Sequence, residues 1–486
     1  MMKFNIPKEV IEISQKLEKA GFEAYLVGGC VRDLILEREP KDWDVATNAK
    51  PEEIQNIFPD SVYENKFGTV GVKTESENPK LKVIEVTTYR IEGKYTDKRH
   101  PDEIKFAKTI EEDLSRRDFT INALAMNVSA KEIIDPFNGQ KDLENKVIQA
   151  VGDPETRFSE DALRLMRAVR FAAELGFEIE EKTFAAIKKQ GELLEMIAKE
   201  RVRDEFEKLV MAKDATNGIE LLENTGLLKY IIPELRGGID VKQNRHHIYT
   251  VWEHSLKTFD YSVKKNYSLE VRLASLFHDI AKPKTKRGEG PDSTFYGHEV
   301  VSAKIAVKIL DRLRFPKSLI EKVSHLVRYH MFYYNVGDVT EAGVRRFLAR
   351  VGPENVDDLI KVREADRIGS GVPKAVPYKL RHLLFMIDKV KKDPILPKML
   401  KLNGNELMEL LNIKPGPKVG FVLNILLEEV LDDPKRNEKE YLFKRSLEIN
   451  NLSDKELKKL SDNAKEFKEE FESGEEEEMK KKYWVK

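Results

Sequence analysis

The chain has 486 residues, with 41% hydrophobic and 35% charged, so it is too long for one ordinary domain and is not composed like a disordered protein. Lys and Arg total 84 against 85 Asp and Glu, so net charge neither announces nor excludes a nucleic-acid partner; local charge has to decide. The lone cysteine, Cys30, rules out an internal disulfide, and no C-x-x-C zinc pattern occurs. No run of about 18 apolar residues occurs, and the opening MMKFNIPKEVIEISQKL lacks a signal-peptide core, so a cytoplasmic, non-membrane protein is expected.

In chain order, FEAYLVGGCVRDL (22–34) reads as a strand, a Gly-Gly turn and a helix. WDVAT (43–47), GTVGVK (68–73) and KVIEVTTYR (82–90) read as further strands. A mixed α/β unit is therefore predicted over 1–150, closing at turn clusters such as DPFNG and GDP. From Ser159 the spacing of Leu163, Met166, Val169 and Ala172 becomes helical, and the remainder reads as almost entirely helical. Seams fall at Gly237-Gly238 and at GSGVPKAVP (369–377). NGNELMELLNIKPGPKVG (403–420) reads as two short helices about a Pro-Gly-Pro turn. The expected divisions are 1–150, 151–240, 241–370, 371–450 and a charged tail, 451–486.

Asp42 and Asp44 flank one residue of a predicted strand, which puts both carboxylates on one face, a hard-oxygen site suited to Mg²⁺. Such a pair can hold two ions for in-line nucleotidyl transfer, and Gly28 and Gly29 would let phosphates approach a helix start closely. Either feature alone is common; their combination, with Arg32 and Asp33 between them, is specific. Arg116, Arg117 and Asp118 precede a predicted apolar helix, with Asn122 four residues after Asp118. Guanidinium groups there suit triphosphate oxygens, and a carboxylate can accept a ribose hydroxyl. Asp161 and Arg164, three apart on a predicted helix, together offer an acceptor and a fork of donors, the polarity needed to read C or A rather than U or G. Arg167 lies one turn on. Seven of the nine histidines fall between 246 and 330, which points to metal.

The run LVGGCVRDLILEREPKDWDVATNAKPEEI resembles the head of class II CCA-adding enzymes and bacterial poly(A) polymerases, in the DNA polymerase beta superfamily. RRDFTINALAMN, EDALRLMRAVRFAAELGF and ERVRDEFEKL follow in that family's order. The resemblance implies an α+β nucleotidyltransferase head, a DNA polymerase beta-like mixed sheet with helices, followed by all-α neck, HD and C-terminal domains. It implies catalysis by Asp42 and Asp44 with two Mg²⁺, CTP and ATP as nucleotides, and the tRNA 3′ end as partner. It assigns the Arg116–Asp118 motif to sugar and phosphates, and Asp161 and Arg164 to a protein template for the base. RIEGKYTDKRHP (90–101) is similar to the family's flexible loop, with Asp97 and Arg99 kept and His100 where a second Arg is frequent. Glu200, Arg201 and Arg203 are read as bracing the neck rather than touching substrate.

His254, His278, Asp279 and Asp366 match the H…HD…D pattern of the HD phosphohydrolase superfamily. That resemblance implies a divalent transition metal such as Ni²⁺ or Mn²⁺ on those four, with His298 and His330 as second-metal or phosphate ligands. His246 and His247 are read as linker residues. LNGNELMELLNIKPGPKVGFVLNILLEEVL (402–431) looks like the family's tRNA-contacting end, where Lys414 and Lys418 flank a turn that could meet phosphates. CCA addition leads, ahead of a poly(A) polymerase, an A-adding specialist, and an RNA-binding phosphohydrolase with an inactive head. The sequence leaves the oligomeric state undetermined.

Overall fold

The computed structural model describes residues 4–63, 68–92, 104–244, 248–332, 334–336, 339–453 and 455–461. Asp97, Arg99, His246, His247 and the tail beyond 461 lie outside the described residues. The chain divides into two compact units, Met1–Arg236 with Ile309–Pro316, and Gly237–Lys308 with Lys317–Lys486.

The first unit begins with α1 (Lys8–Lys19), which buries Val10, Ile13 and Leu17 on one stripe. The strands are β1 (Ala24–Val27), β2 (Asp44–Thr47), β3 (Ser61–Tyr63), β4 (Thr69–Lys73), β5 (Val83–Thr88), β6 (Arg90–Glu92), β7 (Ile104–Phe106), β8 (Ala125–Asn127) and β9 (Ile133–Ile134). Seven form one sheet in the order β3-β4-β5-β2-β1-β8-β9, while β6 and β7 pair separately. Only β2 and β5 run parallel within that sheet, so it is mixed, as expected. Helices α2 (Gly29–Ile35), α3 (Pro51–Ile57), α4 (Ile110–Ser115) and α5 (Gly139–Asn145) join the strands.

One expectation fails here: no apolar helix follows Asp118. Thr120–Asn122 make a single 3-10 turn, and Ala125–Asn127 then join the sheet beside β1. Phe119 is extended and bridges to Ala150, and the Gly28 N–H donates to the Leu124 carbonyl, so sheet pairing claims this backbone before a helix can form.

A two-stranded parallel pair, β10 (Val147–Ile148) and β11 (Glu178–Ile179), leads into helices α6 (Pro154–Glu160), α7 (Leu163–Leu175), α8 (Glu181–Gln190), α9 (Lys199–Val210), α10 (Ala215–Asn224) and α11 (Leu228–Ile231). Helix α7 is buried on almost every side and packs on α9 and α10. Its start differs from expectation, because Ser159 and Glu160 close α6 and the chain breaks at Asp161 and Ala162 before α7 begins.

In the second unit, α12 (Val251–Lys264) starts at a capping box between Thr250 and Glu253. It is followed by α13 (Leu269–Phe277), α14 (Lys282–Thr285), α15 (His298–Arg312), whose residues from Ile309 on count with the first unit, α16 (Lys317–Tyr329), α17 (Glu341–Val351) and α18 (Val356–Gly369). Helices α12 and α18 make the most intimate pair. Gly369 permits it: a Cβ there would fall 2.1 Å from Thr258 Oγ1 and 2.8 Å from the Thr258 backbone nitrogen. The chain ends in α19 (Tyr378–Val390), α20 (Gly404–Leu411), α21 (Pro417–Asp432) and α22 (Lys439–Asn450). The helix after the Pro-Gly-Pro turn is thus a long one of 16 residues, because Val422, Ile425, Leu426 and Val430 give it a continuous buried face. Buried Arg345 donates to the carbonyls of Leu431 and Asp432 and so closes its C-terminal end. Among the described residues no helix is long and apolar enough to cross a membrane.

Candidate active site and candidate metal centre

Asp44 opens β2, and Asp42 stands in the turn just before it, exposed. The sequence had both in the strand; the structure keeps only Asp44 there. The two are close enough to interact: burial raises the Asp44 carboxyl above its usual range, Arg117 opposes this, and the Asp42 charge adds to it. The register pairs Asp44 with Glu85 of β5, a carboxylate the sequence reading missed because the pairing of distant strands is not written in local spacing. Cys30 beside this centre is buried with its thiol pushed up to about 12, and its Sγ donates to the Val27 carbonyl, so it is a packing residue.

Gly28 is the N-cap of α2 with φ +74, and a Cβ there would lie 2.7 Å from an Arg117 guanidinium nitrogen. Glycine is therefore required twice, for backbone conformation and for the approach of Arg117. The Arg116 and Arg117 guanidiniums are anchored to buried Asp113 at 3.0 and 3.2 Å, and Asp113 also accepts from the Arg90 backbone at 3.3 Å. Although burial resists ionisation, these two arginines hold the Asp113 carboxyl below its ordinary range. Asp113 is a second residue that sequence reasoning missed; its spacing of three and four from the arginines was the available signal.

The sugar-site candidates form a chain of contacts. Arg32 donates to Asn122 Oδ1 at 2.8 Å, Asn122 donates to Asp118 at 3.1 Å, and Asp118 accepts two bonds from Arg167 at 2.8 and 2.6 Å. Burial would raise the Asp118 carboxyl, but Arg167, Asn122 and Arg164 hold it far below its usual range. Arg32, Arg167 and Arg170 all lie over the Phe171 ring, with Arg170 at 3.8 Å from its centroid. Arg170 is held in turn by Glu205 of α9 at 2.6 Å. The sequence pictured Asp118 and Asn122 on a helix face; their contact survives in a different backbone.

Asp161 and Arg164 do not share a helix face. Asp161 sits in the break before α7, where its carboxylate accepts from the Leu163 backbone at 3.1 Å and from Arg201 at 3.2 and 2.9 Å. Arg164, in the first turn of α7, donates to Glu160 at 2.7 Å and to the carbonyls of Arg157 and Arg116 at 3.1 Å each. Each side chain is thus fixed by its own partners, the rigidity expected of groups that must present a defined edge. Arg201 braces Asp161 itself, whereas Arg203 ties to Asp204. Among the C-terminal lysines, Lys418 reaches the Asn450 carbonyl at 3.5 Å and Lys414 is exposed.

In the second unit, His254 comes from α12, His278 and Asp279 from the end of α13, Asp366 from α18, His298 from the start of α15 and His330 from the end of α16. All six are buried. His254 Nε2 lies 2.9 Å from His278 Nε2, 3.1 Å from Asp279 and 3.3 Å from Asp366. Asp279 also lies 3.1 Å from His298 and 3.8 Å from His330, so the second pair of histidines faces the same carboxylate.

Three rings, His278, His298 and His330, direct Nδ1 at the carbonyls of Ser275, Phe295 and Val327. A donated Nδ1–H leaves the Nε2 lone pair aimed inward, the tautomer that a metal ligand requires. Both Asp279 oxygens and His298 Nε2 are buried without a hydrogen bond, although Lys282 Nζ makes an ion pair with Asp279 at 2.6 Å. Two ligand groups meet the spacing of a metal site: His254, His278 and Asp366, and His278, Asp279 and His330. Burial resists ionisation of Asp279 and Asp366, yet their cationic and histidine neighbours hold both carboxyls well below the usual range. His330 is driven the other way, to the neutral form, by burial and by His278 and His298. The donor set fits a divalent metal.

A mixed-sheet head carrying an Asp-x-Asp pair at a strand start, followed by a helical neck and an HD-type centre, defines a nucleotidyltransferase of the polymerase A class. Residues 24–149 match the Poly A polymerase head domain, 176–237 the probable RNA and SrmB-binding site of polymerase A, and 251–369 the HD domain. The chain is 35% identical over 445 residues to a CCA-adding enzyme of Lactococcus lactis, covering 90% of this chain and 97% of that one. It is also 35% identical to one from Ligilactobacillus salivarius, covering 92% and 98%. The crystal structure of Bacillus stearothermophilus CCA-adding enzyme in complex with CTP superposes with a TM-score of 0.65 at 29% identity, over 91% of this chain and 97% of that chain. The chain belongs to the CCA-adding enzyme family.

Proposed function

We propose that this chain adds C, C and A from CTP and ATP to the 3′ end of tRNA, with Asp42 and Asp44 as metal ligands. The observation that carries the reading is the fixed presentation of Asp161 and Arg164, held by Arg201 and Glu160, beside an arginine-lined acidic head. A carboxylate that accepts from an exocyclic amine and a guanidinium that donates to ring acceptors favour C and A over U and G. Two Mg²⁺ ions, when bound, supply activation of the 3′ hydroxyl and neutralisation of the triphosphate. The chain's own residues do the rest: Arg116 and Arg117 meet phosphate oxygens, Asp118 and Asn122 the sugar, and Glu85, in register with Asp44, is a third carboxylate at the centre. The neighbour bound to CTP supports the choice of nucleotide. tRNAs ending before the first C, after the second C, or complete, incubated with CTP, ATP and Mg²⁺, test this; incorporation of A alone without stopping contradicts it.

The second unit would hold a divalent metal such as Ni²⁺ or Mn²⁺ on His254, His278, Asp279 and Asp366, with His298 and His330 toward a second metal or a phosphate. A bound metal supplies Lewis-acid activation for phosphoester hydrolysis. Lys282, ion-paired with Asp279 and donating to Gln243 at 2.7 Å, keeps a cation beside the carboxylate. Opening of a 2′,3′-cyclic phosphate end to a terminal phosphomonoester with added metal tests the assignment; inactivity with Ni²⁺, Mn²⁺ and Mg²⁺ alike contradicts it.

A further inference from the structure

Helix α19 has two faces of opposite character. Leu380, Leu383, Met386 and Val390 are buried, which accounts for the packing of the helix on its own unit. The outward side nevertheless carries Tyr378, His382 and Phe385, at spacings of four and three that bring their side chains into one row. Tyr378 is 62% exposed and Phe385 is 61% exposed, so neither ring contributes much to the core. The His382 ring centroid lies 6.1 Å from each, and Tyr334 beneath it bonds His382 Nδ1 through its hydroxyl and stands 5.8 Å away ring to ring. The ladder of rings is therefore held from below while its outer members face solvent.

Along the stretch that carries the rings the charges are basic, and the first acid is exposed Asp388, three residues beyond Phe385. From Gly371 to Ile387 the chain contains Lys374, Lys379 and Arg381 and not one Asp or Glu. Lys374, Lys379 and Arg381 are all exposed, and among the described residues no ion pair engages them, in contrast to Lys389 at the far end of the helix, which pairs with Glu341. Apolar rings without cations would suit a protein partner, and cations without rings a phosphate backbone alone. Exposed rings spaced along a helix and flanked by free cations match the chemistry of unpaired bases, whose faces stack on aromatics while their phosphates meet Lys and Arg.

We propose that the outer face of α19, with Tyr378, His382 and Phe385 as rings and Lys374, Lys379 and Arg381 as counter-charges, is a stacking platform for unpaired bases of the RNA substrate. It rests on the reading of tRNA as that substrate and adds to it a binding surface built from side chains that take no part in nucleotide transfer.

The test is equilibrium binding of the full chain to tRNA lacking its 3′ terminal CCA, together with the single-turnover addition rate at saturating tRNA. Because both rings are exposed, truncation leaves the fold intact, which a thermal melt checks. Tyr378→Ala and Phe385→Ala are expected to weaken binding about tenfold each, with Tyr378→Trp near wild type and Tyr378→Leu as weak as alanine. The saturating rate stays unchanged. Lys379→Gln and Arg381→Gln should each flatten the dependence of log Kd on log salt by about one. Wild-type affinity in both alanine variants overturns the proposal. So does full retention by Tyr378→Leu, which would mark a plain apolar contact such as a protein partner uses. A wild-type chain that binds tRNA in this ring-dependent way but adds no nucleotide would contradict the addition reading and leave the platform standing.

Discussion

Asp44 and Asp279 are both acids in a group built around carboxylates, yet their surroundings differ in kind. Asp44 has one cation, Arg117, pressing against burial and against a second negative charge on exposed Asp42, and its carboxyl is raised. Asp279 lies fully inside, encircled by His254, His278, His298 and Lys282, and its carboxyl is held well below the usual range. In the head Arg116 and Arg117 are shared with Asp113, so the Arg117 cation offsets the charge at Asp44 only in part. Such a centre suits cations that arrive together with a large polyanionic substrate. The buried centre has its compensation built in, which suits ions held before any substrate arrives.

Breaking the acidic head should have the largest effect. Asp44→Asn is expected to lower nucleotide incorporation about 10³-fold while tRNA affinity stays within a factor of two, read by single-turnover labelling alongside a binding titration. Asp279→Ala should remove metal-dependent cyclic-phosphate hydrolysis and spare nucleotide addition; parallel loss of both activities would mean that the two centres do not divide the labour.

Gly369→Ala sharpens the contrast from the side of packing, since the new methyl meets the Thr258 backbone, which cannot swing away. A cost of about 1–3 kcal/mol to the second unit is expected, measured by denaturant melts, with addition by the head preserved below the transition. Arg201→Ala removes the brace on Asp161 and should reduce discrimination against UTP about tenfold, with a smaller loss in kcat for CTP. Arg201→Lys, with one point charge in place of a fork, should recover only part of it.

The smallest effect concerns pH. The Asp118 carboxyl is depressed in the folded chain, so its ionised form contributes stability that is fully present above its unfolded pKa of about 4 and is lost as pH falls toward the folded value. The stability difference between wild type and Asp118→Asn should therefore be largest near pH 7 and shrink on acidification below about pH 4. A difference independent of pH would remove the ion pair with Arg167 as its source.

What was legible in the sequence follows the range of the interactions involved. Motifs that sit within one turn or strand start, such as Gly28-Gly29 and His278-Asp279, could be read directly, and so could the shift from strand to helical periodicity after the head. The helix expected after Asp118 was not there because the extended pairing of Phe119 and Ala125–Asn127 with distant strands outweighed local apolar pattern. Asp161 was placed on a helix because its neighbours have helical spacing, but its backbone is extended in the break between α6 and α7, where its carboxylate accepts from the Leu163 backbone. Glu85 acquires its place only through the strand pairing that the fold supplies, whereas Asp113 and Lys282 stand three residues from Arg116 and Asp279, a spacing that the sequence shows. The exposed rings of α19 passed unnoticed for a related reason: Tyr378 and Phe385 look like core residues until burial shows which face points outward.

One product distinguishes CCA addition from the other activities of such a head. Sequencing tRNA 3′ ends after incubation of the wild-type chain with a CCA-less tRNA, all four nucleoside triphosphates and Mg²⁺ should reveal a single added CCA with termination after A, and no added nucleotide with Asp44→Asn. Runs of A, addition of A only to tRNA already ending in CC, or unchanged products from Asp44→Asn would contradict it.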